Sequence, residues 1–205
     1  MLHVKKLIAS GIIVLTIVGY ACTQTGAKDK PSNENATKPV LEKKDLVARG
    51  EFLMTVGGCN DCHTPKLFDQ NGMHLDSSRL YSGHPAGSPL PPVNPDALKP
   101  GQWYQMAPDI TAFVGPWGIS YAANLTPDST TGIGAWSEET FIKTLRTGKH
   151  LGMENGRPIL PPMPWYNLAN LSDDDFHAIY AYLRSLPPIV NRVPGPVPPN
   201  EVVLK

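Results

Sequence analysis

Residues 56–66 read VGGCNDCHTPK. Two of the chain's three cysteines, Cys59 and Cys62, stand here three positions apart, and His63 follows the second. Three chemistries use such a set. A dithiol can cycle with its disulfide. Two thiolates and an imidazole can form part of a zinc site. Two thiols can also add across the vinyl groups of a haem, while the adjacent histidine ligates the iron. A closed zinc site needs four ligands; no second cysteine pair exists, and adjacent Cys62 and His63 point in different directions. A redox pair follows a strand in a βαβ pattern, whereas this motif follows a helical pattern. Haem attachment uses every residue: Cys59 and Cys62, one helical turn apart, reach two vinyls on one edge of the ring, and His63 falls beneath the metal.

The elements that must hold this motif are helices. LEKKDLVARGEFLMTVGG, from Leu41, carries Leu46, Phe52, Leu53 and Val56 among charged residues and stops at Gly57-Gly58. A second helix is predicted in SEETFIKTLRTGKH, with Ser137 as N-cap, Glu138 and Glu139 at its start, basic residues toward its end, and Phe141, Ile142 and Leu145 as its apolar face. A third runs through SDDDFHAIYAYLRSLPP, capped by Ser172 and stopped by Pro187-Pro188, with Phe176, Ile179, Tyr180 and Leu183 on one face. Residues 64–135, rich in Gly, Pro, Asn, Asp and Ser, show no sustained helix or strand. The expectation is an all-α domain with a long loop-rich insertion between the cysteine motif and the second helix. Three short helices bury too little to hold so much loop, which calls for a large apolar group at the centre.

Composition agrees with a loop-rich exported protein. The 205 residues include 22 prolines and 18 glycines, and 18 basic residues balance 18 acidic ones, so no basic face for nucleic acid is indicated. Lys5 and Lys6 precede a 13-residue apolar run, Leu7–Gly19, too short to span a membrane and suited to a signal peptide. Ala21-Cys22 after it reads as a lipoprotein signal, with Cys22 as the lipidated residue; an ordinary cleaved signal or a short anchor are the other readings, and all three export the chain. The domain plan is therefore a signal peptide at 1–21, a flexible tether at 22–40, a folded domain at 41–190 and a proline-rich tail at 191–205.

RGEFLMTVGGCNDCHTP, NLTPDSTTGIGAWSEETFIKTLRTGKH and PPMPWYNLANLSDDDFHAIYAYLRSLPP, in this order, cover about a third of the chain. Together they resemble the class I cytochromes c, most of all the monohaem and dihaem cytochromes found with bacterial alcohol and aldehyde dehydrogenases. The resemblance implies the class I cytochrome c fold, with an N-terminal helix ending at the haem motif and a C-terminal helix crossing it. Gly50 and Tyr180 or Tyr182 are candidates for that crossing.

A six-coordinate haem needs a second axial ligand. Met54, Met73, Met106, Met153, Met163, His74, His84, His150 and His177 are available. Met163, in LPPMPWY, is distinguished by prolines that stiffen the backbone around it, and the resemblance places the axial methionine there. Met106, Met153 and His150 are the alternatives. Trp117, Tyr121, Asn124, Trp165 and Tyr166 either line the pocket or pack as core. The expected function is single-electron transfer through one covalent haem c held by Cys59, Cys62, His63 and Met163. The carrier is expected to be lipid-anchored on the periplasmic or extracytoplasmic face of a bacterial membrane. Its partners would be a dehydrogenase donor and a terminal oxidase or other acceptor. A haem-based gas or redox sensor, and a cytochrome subunit working only inside a dehydrogenase complex, are the competing readings.

Overall fold

The computed structural model describes residues 42–204. The expected signal peptide and the whole of the expected tether, Cys22 included, lie outside the described residues. Among those described, no helix is long and apolar enough to cross a membrane.

Three helices form the frame. Helix α1 (Lys43–Val56) ends at Gly57, whose N–H bonds the Leu53 carbonyl, and a short α2 (Cys59–His63) follows at once. Helix α3 (Glu138–Thr147) is capped by Ser137, whose hydroxyl accepts from the Thr140 N–H. Helix α5 (Asp173–Ser185) is capped in the same way by Ser172, accepting from the Asp175 N–H. Acidic residues fill the first turns of both, where the helix dipole is positive. One more turn, α4 (Trp165–Leu168), lies between α3 and α5.

Helices α1 and α5 cross at Gly50. A Cβ there would collide with the Ala178 carbonyl oxygen and lie 2.7 Å from the Tyr182 Cβ. Only a residue without a side chain permits this approach. The crossing also decides which face of α1 is buried. Gly50, the crossing residue expected from the resemblance, and Met54, four apart, face the core, while Phe52 and Val56 of the apolar pattern are exposed. The core gathers Met54, Phe141, Phe176, Ile179 and Leu183 from the helices with Tyr81 and Ile133 from the insertion. Phe176 is fully buried, which is worth about 2–3 kcal/mol from area removed from water.

The domain is mixed α/β rather than all-α, because the insertion folds on its own terms. Strands β1 (Lys66–Asp69) and β2 (Gly72–Leu75) form an antiparallel hairpin. Strands β3 (Gln105–Met106), β4 (Ala112–Gly115) and β5 (Gly118–Tyr121) form a second antiparallel sheet in that order. Each has two to four residues, too few to display the alternation by which a strand is recognised. The sheet has a small core of its own, Ala97, Val114 and Ile119, closed by Val197 and Val202 of the tail. Val197 also pairs with Ile119 as an isolated antiparallel bridge. The tail is further tied down by asparagines. Asn191 donates to the Ser82 and His84 carbonyls and accepts from the Ala86 N–H. Asn124 donates to the Ile189 carbonyl. The insertion is thus organised by sheet pairing and by these staples.

Candidate functional site

Cys59, Cys62 and His63 occupy one turn of α2. Both cysteines are half-buried and unpaired. Burial pushes the Cys59 thiol up to about 11, and burial likewise raises Cys62. A raised thiol pKa disfavours the thiolate that a redox pair uses to attack. Among the described residues no group of three or more Cys, His, Asp or Glu side chains is arranged to hold a metal ion, so no four-ligand zinc site is assembled around the motif.

His63 is buried, and burial lowers its pKa from the ordinary histidine value. Its Nδ1 lies 2.8 Å from the Ala123 carbonyl oxygen. A carbonyl can only accept, so Nδ1 carries the proton. The neutral ring then presents its lone pair at Nε2. This is the arrangement that orients a metal-ligating histidine, with the second nitrogen held by a backbone acceptor. A c-type haem fits this donor set. Cys59 and Cys62 would carry the thioether bonds, and His63 Nε2 would be one axial ligand.

A hydrogen-bonded shelf supports the turn from below. Asn60 Nδ2 donates to the Tyr81 hydroxyl at 2.9 Å, and the Thr64 hydroxyl donates to Asn60 Oδ1 at 2.5 Å. Thr64 Oγ1 in turn accepts from the Tyr81 N–H at 2.8 Å. Thr64 and Tyr81 are fully buried. The Tyr81 ring meets Tyr182 of α5 edge-on at 5.9 Å, so the shelf is anchored to the frame.

Met163 sits half-buried in the segment before α4. Its carbonyl accepts from the Trp165 N–H at 2.9 Å. Trp165 packs over Gly148, the left-handed C-cap of α3, where a Cβ would collide with the indole. Two residues before Met163, the Pro161 carbonyl accepts from the Ser120 hydroxyl at 2.6 Å, and Ser120 accepts from Trp117 Nε1 at 3.2 Å. Strand β5 and the residues just after it therefore touch both candidate ligand segments. Ser120 holds the Met163 loop, and Ala123 holds His63.

The remaining residues named from sequence are placed otherwise. Met54 is core, while Met106 on β3 and Met153 are more than half exposed. His150 is half-buried, with its ring against Trp136. His177 bonds Glu138 on the surface at 2.8 Å. Trp117 and Asn124 spend their N–H groups on Ser120 and on Ile189 and Thr131, so they act as staples. Tyr182, not Tyr180, meets Gly50. Tyr180 instead donates to the Trp136 carbonyl. Sequence reasoning missed the Ala123 carbonyl, Ser120, the Asn60–Thr64–Tyr81 shelf and Lys66. A backbone acceptor has no sequence signature. Lys66, a cation just past a helix C-terminus, has one.

No protein-family model matches the chain. It is 33% identical over 137 residues to the gluconate 2-dehydrogenase cytochrome c subunit of Pantoea cypripedii, a span of 67% of this chain and 22% of that one. It is 31% identical over 137 residues to the cytochrome c subunit of the quinone alcohol dehydrogenase of Gluconobacter oxydans, covering 67% of this chain and 20% of the other. Over 147 residues it is 27% identical to the fructose dehydrogenase cytochrome subunit of Gluconobacter japonicus, 72% of this chain and 22% of that one. The chain thus spans about a fifth of the length of each of these relatives. With the Cys59-Cys62-His63 turn and its histidine held by Ala123, this likeness identifies the chain as a homologue of the cytochrome c subunits of bacterial dehydrogenases.

Proposed function

We propose that this chain is an electron carrier rather than an enzyme, moving single electrons through one covalently attached haem c. Cys59 and Cys62 anchor the group, and His63 and Met163 are its axial ligands. The observation that carries the reading is His63 itself, buried in one helical turn with Cys59 and Cys62, with Nδ1 taken by the Ala123 carbonyl. When bound, the haem supplies a one-electron couple whose potential is set by its ligands and by burial. This chain's residues hold it, fix the imidazole and keep polar groups satisfied around it. A thioether from Met163 favours the reduced iron relative to a second histidine.

The named relatives support a second element of the reading, that the electron donor is a dehydrogenase met in a complex. Contact with a terminal oxidase or other acceptor would be small and transient, as electron-transfer encounters are. Export and lipidation at Cys22 would place the carrier on the outer face of a bacterial membrane. Cys22→Ser is expected to move it from the membrane to the soluble fraction.

The decisive experiment is a pyridine haemochrome spectrum of protein from a host with c-type maturation. The expected result is a covalent haem c at one per chain; no haem, or haem extracted by acidified solvent, overturns the reading. Met163→Ala is expected to leave the haem attached, lower the potential and open the site to carbon monoxide. An unchanged potential would remove Met163 as ligand. A native protein that is five-coordinate and binds carbon monoxide at once would be a sensor instead.

A further inference from the structure

Lys66 stands three residues beyond His63 and is 8% exposed. Its Nζ donates to the Asn60 carbonyl at 3.2 Å, to the Thr64 carbonyl at 2.6 Å and, at shorter range, to the Asp61 carbonyl. Three acceptors require three N–H donors. An ammonium has three and a neutral amine has two, so the geometry is that of a charged lysine.

Those carbonyls matter by their position. Asn60 and Asp61 lie in α2, and Thr64 is its C-cap. The Asn60 carbonyl also accepts from the Thr64 N–H, and carbonyls at a helix C-terminus carry the negative end of the dipole. Lys66 gathers them onto one cation at the end where His63 sits. Its backbone is fixed for this task, since Lys66 opens β1 and pairs with Leu75. The titratable groups that face it are Cys62, which would be a thioether in haem-loaded protein, and the carboxylates of Asp109 and Asp61. Neither carboxylate forms an ion pair with it, and none of the ion pairs among the described residues uses Lys66. The charge is therefore neutralised by backbone dipoles rather than by a carboxylate.

We propose that Lys66 is a positioning and tuning residue for the haem centre, holding the Cys59–His63 turn closed and raising the reduction potential of the group the turn carries. This rests on the haem reading above. Loss of an electron adds one positive charge to the centre. A fixed cation nearby opposes that charge, and masking the carbonyls removes partial negative charge that would favour it. Both effects act in the same direction, and low polarity strengthens them.

The test compares Lys66→Gln and Lys66→Met with Lys66→Arg in haem-loaded protein. Each is first checked by pyridine haemochrome and by its reduced spectrum. A native protein without covalent haem defeats the reading beneath the proposal before any variant is compared. With haem present and the axial spectrum unchanged, the two neutral variants should shift the midpoint potential downward, and Lys66→Arg should keep most of the native value. A potential unmoved in Lys66→Gln overturns the proposal. So does a fall as large in Lys66→Arg as in Lys66→Gln, which would mean packing rather than charge. Gln keeps a donor for the carbonyls, so it carries the test if Met prevents maturation.

Discussion

The helical frame and the insertion are held together by different forces. In the frame, Met54, Phe141, Phe176, Ile179 and Leu183 pack face to face, and burial of apolar area provides the stability. In the insertion the apolar core is small, Ala97, Val114 and Ile119, and side chains reach instead for backbone groups. Asp128 accepts from the amides and hydroxyls of Thr130 and Thr131. His84, Thr111 and Asp109 form a chain, with Thr111 donating to Asp109 at 2.8 Å and lying 2.7 Å from His84 Nδ1. Asn191 ties three backbone groups at once. Apolar packing is strong but weakly directional, whereas hydrogen bonds fix direction at a modest net gain. The frame therefore gives the molecule its stability, and the insertion gives the site its geometry. Both candidate ligand segments are held from the insertion side, through Ala123 and Ser120.

The largest expected contrast is in stability. Phe176→Ala should cost about 4 kcal/mol, the upper range for emptying an aromatic site that cannot collapse. Ile119→Ala should cost about 2 kcal/mol, because β5 can settle onto the tail. Urea unfolding followed by far-ultraviolet dichroism measures both. Equal losses would mean that the two regions fold as one unit and that the division between them is wrong.

A smaller effect on stability should have a larger effect on the site. Ser120→Ala removes the hydrogen bond to Pro161, worth about 1 kcal/mol. The expected readout is local. The Met163 loop loosens, and the reduced protein binds carbon monoxide faster than the native form. Phe113→Ala, on the same sheet and half-exposed, should not do this. If both variants respond alike, the sheet acts through general rigidity and not through Ser120.

The frame was legible in the sequence because its signals are local. Ser137, Ser172 and Gly57 mark helix ends by local chemistry, and α5 repeats its apolar residues at helical spacing. The cysteine motif was legible because Cys59, Cys62 and His63 are neighbours in the sequence itself. The Gly50 crossing was legible through the resemblance, whereas the apolar residues Phe52 and Val56 of the same helix turned out exposed. The insertion was not legible at all. Strands of two to four residues carry no period, and the bonds that matter join Ser120 to Pro161 and His63 to Ala123 across 41 and 60 positions. Site geometry here depends on long-range polar contacts, and local sequence does not encode their partners.

The smallest expected effect concerns pH, and it falls on the insertion. His84 is 2% exposed, and burial lowers its pKa from the ordinary value, with the Asp109 carboxylate partly opposing. Thr111 and the Tyr121 ring, 4.9 Å away, are its other neighbours. The unfolded chain takes up this proton near pH 6.5, while the folded chain resists until a lower pH. The unfolded state thus binds more protons as pH falls below that value. The stability contributed by neutral His84 is present above pH 6.5 and is lost as pH falls through the folded pKa. Amide exchange in β4 and β5, corrected for intrinsic rates, should report opening that increases from pH 7 to pH 5, while the amides of α5 change less. His84→Gln keeps a donor toward Thr111 and has no proton to gain, so it should flatten the β4–β5 response. His150 is also lowered by burial, so a response surviving in His84→Gln would transfer the effect to it. If α5 opened in step with β4 and β5, proton uptake in the insertion would be felt by the whole frame, and the two regions would share one cooperative transition.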